Sequence, residues 1–192
     1  DISGIEGIEQ VVKTLSESET QLDILVNNAG ILWEQPIDEY TEEAWDSTFD
    51  LNVKSVFFLT QKLLPMLRQG ACEDSLSSVI NISSADGTNL SDREHYAYVA
   101  SKASINHLTR ALAKRLASEY ITVNAIAPGP FPSNMTSGYP EEVVAGVAAM
   151  IPRGRFGTEQ DIAGTVIYLA SRAGAYVTAA TIPLDGGWSG CS

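Results

Sequence analysis

The sequence predicts an α/β fold: one domain built on a parallel sheet with helices on both faces. Three observations carry that reading. Segments with apolar residues at helical spacing alternate with short apolar runs, in the order helix then strand, four times over, and such alternation is the signature of parallel strands joined by crossover helices. The run Leu22–Val26 is almost wholly apolar, as strands buried inside parallel sheets are. Finally, 192 residues of which 44% are hydrophobic suffice for one sizeable core, with no internal repeat or low-complexity linker to divide them.

Each element has its own local reason. Ile5, Ile8, Val11, Val12 and Leu15 recur at helical spacing, and the polar stretch Ser16–Thr20 closes that helix. Leu22–Val26 follows as a strand expected to be covered on both faces, and runs directly into Asn27-Asn28-Ala29-Gly30. Small and amide residues there let a ligand approach the backbone at the carboxyl end of a strand, where open α/β sheets bind their ligands. Thr41 caps a second helix with Glu42 and Glu43 in its first turn. Trp45, Phe49, Val53, Val56, Phe57 and Leu63 carry its stripe to about Met66. Asn52 lies inside this apolar helix, either as a satisfied interior amide or as a functional group.

Ser78–Ser83 is the next strand and Ser91–Glu94 a polar loop. A long helix begins near His95, with Ile105, Leu108, Leu112 and Leu116 as its core stripe. Ile121–Ile126 is the third strand. Pro128, Pro130 and Pro132 then turn the chain out of the sheet, over the ligand-binding edge. Residues 133–151, with a short helix from Pro140, read as a flap over a pocket. Thr158, with Glu159 and Asp161 behind it, opens the last helix, cored by Ile162, Val166, Leu169 and Ala170. Val177–Leu184 is the final strand, left through Asp185-Gly186-Gly187.

The totals exclude several functions. Twelve basic against 24 acidic residues give a formal charge of −12, and no Lys/Arg-rich stretch follows a phosphate backbone, so nucleic acid and anionic membrane surfaces are not expected partners. A nucleotide is still compatible with that charge, because helix N-termini hold phosphates through backbone N–H groups. The longest apolar run, Val143–Ile151, has nine residues, far short of the roughly 20 that span a bilayer. No signal-peptide pattern opens the chain, and Cys72 and Cys191 have no metal-ligand spacing; free thiols and a cytoplasmic location are expected.

The chemistry centres on Ser84–Lys102. Tyr98 and Lys102 stand four residues apart on a helix and so on one face. A fixed cation beside a phenol favours the phenolate and brings a pKa near 10 towards usable range, which makes Tyr98 a candidate general acid or base. Ser84 ends the strand upstream, where its hydroxyl can hold a carbonyl towards the tyrosine. Neither His95 nor His107 belongs to a motif pairing it with that serine, so a serine hydrolase is disfavoured and both histidines are expected to be ordinary polar positions.

Asn27–Gly30, Asn52, Asn81–Ser84, Tyr98-x-x-x-Lys102, Asn124–Gly129 and Asp185–Gly187 together resemble the short-chain dehydrogenase/reductases, nicotinamide-dependent oxidoreductases of Rossmann-type, doubly wound fold. The resemblance covers essentially the whole chain. It implies Tyr98 as catalytic acid/base, Ser84 as carbonyl ligand, Lys102 as ribose ligand that lowers the tyrosine's pKa, and Asn52 as holder of a relay water. Asn27, Ala29 and Gly30 would line the adenine-side ribose and Asp1 the adenine. Pro128, Gly129 and Phe131 would frame the nicotinamide, with Ser133 where the family usually has threonine. Pro128–Ser133, Ile151–Gly157 and Gly174–Thr178 are similar to 3-oxoacyl-carrier-protein reductase-like enzymes, including those of rhamnolipid synthesis. That implies NADP(H) ahead of NAD(H) and a small-molecule carbonyl or alcohol substrate, such as a 3-oxoacyl group.

The family's first strand, Gly-rich turn and helix have no counterpart in these residues. An incomplete chain, the C-terminal two thirds of the family domain, is therefore expected, with Leu22–Val26 at an open sheet edge. A binding or assembly protein that keeps the reductase scaffold without catalysis is the alternative. The resemblance also implies a homodimer or homotetramer, with Phe57, Phe58, Leu108 and Tyr168 as interface candidates. Trp33, Met135, Tyr139 and Trp188 are candidates for an apolar pocket.

Overall fold

In the computed structural model, which describes residues 1–90, 92–133, 138 and 140–191, the strands form one parallel sheet in the order β1-β2-β3-β4. They are β1 (Ile24–Asn27), β2 (Ser77–Ile82), β3 (Ile121–Pro128) and β4 (Thr181–Leu184). Parallel neighbours need crossovers, and helices supply them. α1 (Ile5–Ser18) precedes β1; α2 (Glu42–Phe49) and α3 (Ser55–Gly70) lead to β2; α4 (Tyr96–Leu116) leads to β3; α5 (Glu141–Met150) and α6 (Glu159–Ala170) lead to β4. The carboxyl ends of all strands therefore share one edge. The predicted fold class holds.

Strand alternation divides the core into two layers. On one face Leu25, Val79, Ile121 and Val123 pack with Ile8 of α1, Leu59, Leu63 and Leu67 of α3, and Ala113 and Leu116 of α4. On the other, Ile80 and Ile126 pack with Leu169 of α6, flanked by Ile162, Val166 and Ile182. Thr158 closes a capping box with Asp161 at the start of α6, as its sequence predicts.

Four expectations change. β1 is not covered on both faces: Leu25 is buried, whereas Ile24 and Val26, 44% and 39% exposed, look out from the face that α6 covers further along the sheet. Among the described residues β1 pairs only with β2, which leaves its other edge open, as expected. The single helix predicted over 41–66 is instead α2, a π turn at Asp50–Lys54 and α3. Its Trp45 is 42% exposed and stacks on Phe49 in place of entering the core. The buried stripe of α4 is Ile105, Thr109, Ala113 and Leu116, with Leu108 and Leu112 half-buried. The last strand begins at Thr181 and not Val177, because Ala179 adopts φ 64°, a left-handed conformation that breaks strand geometry.

Both cysteines are free and exposed. Among the described residues no helix is long and apolar enough to cross a membrane. Of the predicted polar loop and pocket, Ser91, Met135 and Tyr139 lie outside the described residues.

Candidate active site

Ser84, Tyr98 and Lys102 converge at the carboxyl end of β2. Ser84 caps a short 3-10 turn, Ala85–Gly87, by accepting the Asp86 N–H at 3.1 Å. That turn is pressed onto α4: a Cβ on Gly87 would stand 2.8 Å from the Lys102 carbonyl carbon, and Asn106 donates to the Gly87 carbonyl at 3.1 Å. Ser83 adds a bond to the Lys102 carbonyl at 3.2 Å. The serine is thereby fastened to the helix turn that carries Tyr98 and Lys102, with its hydroxyl close enough to the Tyr98 phenol to favour the phenolate.

Lys102 is 4% exposed. Its Nζ donates to the Ile82 carbonyl at 2.8 Å and lies 5.5 Å from the centre of the Tyr98 ring. Burial pulls its pKa down to about 8. The phenol of Tyr98 moves the other way from the expectation. Its pKa is raised, chiefly by burial, with the Ser84 hydroxyl and Arg93 opposing and the Asp86 charge adding to the rise. Four-residue spacing places the ammonium beside the ring, but its proton points to a strand carbonyl and not to the phenol oxygen. Desolvation of the phenolate therefore wins.

Asn52 sits in the π turn, a widened backbone that often marks functional positions. Its amide clamps the main chain after Gly30, accepting Ile31 N–H at 2.9 Å and donating to Ile31 C=O at 2.9 Å. It also donates to Ser101 Oγ on α4 at 3.1 Å. A Cβ on Gly30 would lie 3.3 Å from Asn52 Oδ1 and 3.5 Å from Lys102 Nζ. Gly30, Asn52 and Lys102 thus form one cluster, with Ala29 exposed beside it.

Asn27 is turned inward: its Nδ2 donates to Thr60 Oγ1 (3.2 Å) and Asn81 Oδ1 (2.9 Å), so its side chain fastens strands and does not face the edge. Pro128 and Gly129 end β3 against β4, where a Cβ on Gly129 would meet Asp185 Cβ at 2.6 Å. The Phe131 ring covers Gly157 and borders a cavity of about 230 Å³ with Arg153 and Asp185. Neither Trp33 nor Trp188 lines it. Ser133 is exposed. Asp1 lies at the exposed start of the chain, where it accepts from Ser3 N and Oγ. A larger cavity, about 520 Å³, opens near Ser78 and Thr122, towards the opposite end of the strands. Size is a poorer guide here than the convergence of polar groups.

The sequence predicts an ordinary polar position at His95, and the structure overturns it. The residue is fully buried, directly before α4, with its ring edge-on to Tyr98. His107 is exposed, as expected. The remaining signal, a histidine three residues before the tyrosine, has no periodicity to reveal it.

Known proteins resemble this chain over nearly all of its length. A family model described as Enoyl-(Acyl carrier protein) reductase matches residues 1–189. The rhamnolipids biosynthesis 3-oxoacyl-[acyl-carrier-protein] reductase of Pseudomonas aeruginosa is 44% identical over 191 residues, covering 98% of this chain and 74% of that protein. The 3-oxoacyl-[acyl-carrier-protein] reductase FabG of Staphylococcus aureus is 38% identical over 188 residues, 97% of this chain and 74% of that one. Among solved structures, the Pseudomonas aeruginosa RhlG/NADP active-site complex superposes with a TM-score of 0.94 at 43% identity, over 98% of this chain and 75% of that chain.

Proposed function

The chain belongs to the short-chain dehydrogenase/reductase family of NAD(P)-dependent oxidoreductases, and from that premise we propose that it reduces a carbonyl of the 3-oxoacyl class with NADP(H), using Tyr98 as the acid. The observation that supports this best is the meeting of Ser84, Tyr98 and Lys102 in one partly buried cluster at the strand edge.

The residues fit a nicotinamide cofactor. Among the described residues the Lys102 ammonium, with three donors, has the Ile82 carbonyl as its one acceptor although it is 4% exposed. Two N–H groups are left for a ligand's hydroxyls, as a ribose offers. Gly30 keeps side-chain bulk away from that place, and Pro128 at the end of β3, with Gly129 and Phe131 after it, would frame the nicotinamide. When bound, the nicotinamide supplies the hydride chemistry. The NADP complex of the Pseudomonas relative favours NADP(H) over NAD(H).

The chain's own residues handle the oxygen. Ser84 Oγ accepts the Asp86 N–H, which leaves its proton available to a carbonyl oxygen. A raised pKa keeps the Tyr98 phenol protonated at neutral pH, ready to donate as that oxygen gains charge. Asn52 holds the segment after Gly30 in place, and Lys102 is held where it can anchor the ribose. Exposed Tyr168, with half-buried Phe57, Phe58 and Leu108, would serve assembly into a homodimer or homotetramer.

The test is a fluorescence titration with NADPH and separately NADH, followed by turnover of a 3-oxoacyl thioester by the chain and by Tyr98→Phe. We expect tighter binding of NADPH, unchanged in the variant, and a turnover loss of at least about 100-fold. Undiminished turnover by Tyr98→Phe would overturn the assignment of the acid. A folded chain that takes up neither nucleotide would favour the binding or assembly reading.

A further inference from the structure

His95 is fully buried, yet the chemistry above makes no use of it. Its Nε2 lies 3.1 Å from Asp86 Oδ2, within ion-pair distance but outside the directional range of a hydrogen bond. Nδ1 has no hydrogen-bond partner among the described residues. Buried polar atoms are nearly always satisfied, so an imidazole kept there on one electrostatic contact calls for a reason. The ring stands perpendicular to that of Tyr98, with centroids 5.6 Å apart at 81°. Asp86 belongs to the turn capped by Ser84, and its charge raises the proton affinity of Tyr98.

We infer that His95 is a positioning residue that, through Asp86, sets the proton affinity of Tyr98 and ties the Ser84 turn to the start of α4. The inference rests on Tyr98 being the acid of the proposed reaction. An imidazole at ion-pair distance from a carboxylate draws part of that carboxylate's field to itself, and the phenol feels correspondingly less negative charge. The charged groups around the ring enter the same balance: Asp86 from the turn, Glu34 from the segment after β1, and Arg93 from the loop before α4. Arg93 donates to Glu34 through Nε at 3.2 Å. It acts on Tyr98 in the direction opposite to Asp86, and its bond to Glu34 holds that carboxyl below the usual carboxylate range.

The experiment is a tyrosinate absorbance titration of the whole chain, with Tyr98 isolated by subtracting the Tyr98→Phe chain. Asp86→Asn should lower the Tyr98 midpoint by roughly half a pH unit or more. His95→Phe fills the same space without a donor and should raise the midpoint, whereas His95→Gln, whose amide can replace Nε2–H, should stay near the parent. In the Asp86→Asn background His95→Phe should have no effect, since the charge it moderates is gone. A shift from His95→Phe of equal size in both backgrounds, or none in either, overturns the inference. Where His95→Phe does not fold, Asp86→Asn and His95→Gln decide alone, and an unmoved midpoint in Asp86→Asn refutes it. No turnover is needed, so failure of the proposed reaction and failure of this pair are read separately.

Discussion

Lys102→Met is expected to stabilise the fold at neutral pH while removing turnover. In the folded chain the ammonium is 4% exposed and its pKa falls from 10.5 to about 8. At about 1.4 kcal/mol for each pH unit, that fall corresponds to a folding penalty of about 3 kcal/mol. The sign follows from proton binding. Between about pH 8 and 10.5 the unfolded chain holds this proton and the folded chain does not, so stability rises with pH through that window. Below it the penalty is fully present, and above it the penalty is gone. Methionine removes the penalty at every pH but forfeits the bond to Ile82 C=O, a loss of about 1–2 kcal/mol. The variant should therefore be more stable than the parent by about 1–2 kcal/mol near pH 7, and less stable by a similar amount above about pH 10.5. Urea unfolding of both chains across this range measures the difference directly. A difference that stays constant with pH would refute the reasoning, since every other titrating group is common to both chains. A gain in stability together with lost turnover is the trade expected where a strained group is kept for function.

Two glycines give further predictions. Gly30→Ala places a methyl 3.3 Å from Asn52 Oδ1 and 3.5 Å from Lys102 Nζ. Both neighbours are side-chain ends that can give way, so stability should change by less than about 1 kcal/mol. NADPH affinity in the fluorescence titration should weaken roughly tenfold, about 1.4 kcal/mol, and unchanged affinity would remove Gly30 from the cofactor site. Gly129→Ala meets Asp185 Cβ at 2.6 Å and Cα at 2.9 Å. Asp185 directly follows β4, and the two segments are tied there by the Gly129 N–H donating to Leu184 C=O at 3.1 Å. A loss of about 2–3 kcal/mol in urea unfolding is expected, and a neutral result would mean that β3 and β4 part easily at this edge.

The sequence made legible whatever depends on local pattern. Helix starts at Thr41 and Thr158, the alternation of strands and helices, and the convergence of Ser84, Tyr98 and Lys102 follow from caps, periodicity and spacing. What escaped depends on partners distant in sequence. The π turn at Asp50–Lys54 puts Asn52 against Ile31, 21 residues away, and no helical periodicity encodes that. His95 lies in a polar stretch and is buried only because the Ser84 turn and α4 close over it. The direction of the Tyr98 shift is not encoded in spacing, which gives the neighbour and not its orientation: Lys102 spends its bond on Ile82. Its place at a strand end suggests the ligand edge for Asn27, yet the side chain points into the sheet because β2 offers Asn81 in register.

That last pair explains how the site keeps its geometry beside an open sheet edge. Apolar runs such as Ile24-Leu25-Val26 and Val79-Ile80 would pack tolerably after a shift of two residues, since each shifted side chain still meets another aliphatic one. Buried amides do not tolerate it. Thr60, Asn27, Asn81 and Thr109 form a ladder from α3 through β1 and β2 to α4, with bonds of 3.2, 2.9 and 2.9 Å. A slipped register would leave several of these groups unpaired, at about 1–3 kcal/mol each. Asn27 and Leu25 face the same layer, away from exposed Ile24 and Val26. The ladder therefore fixes β1 against β2 from the covered side, whatever meets the bare side. Ser84 follows β2 by two residues and α4 carries both Thr109 and Lys102, so amides and hydroxyls, more than the aliphatic core, hold the serine, tyrosine and lysine in register.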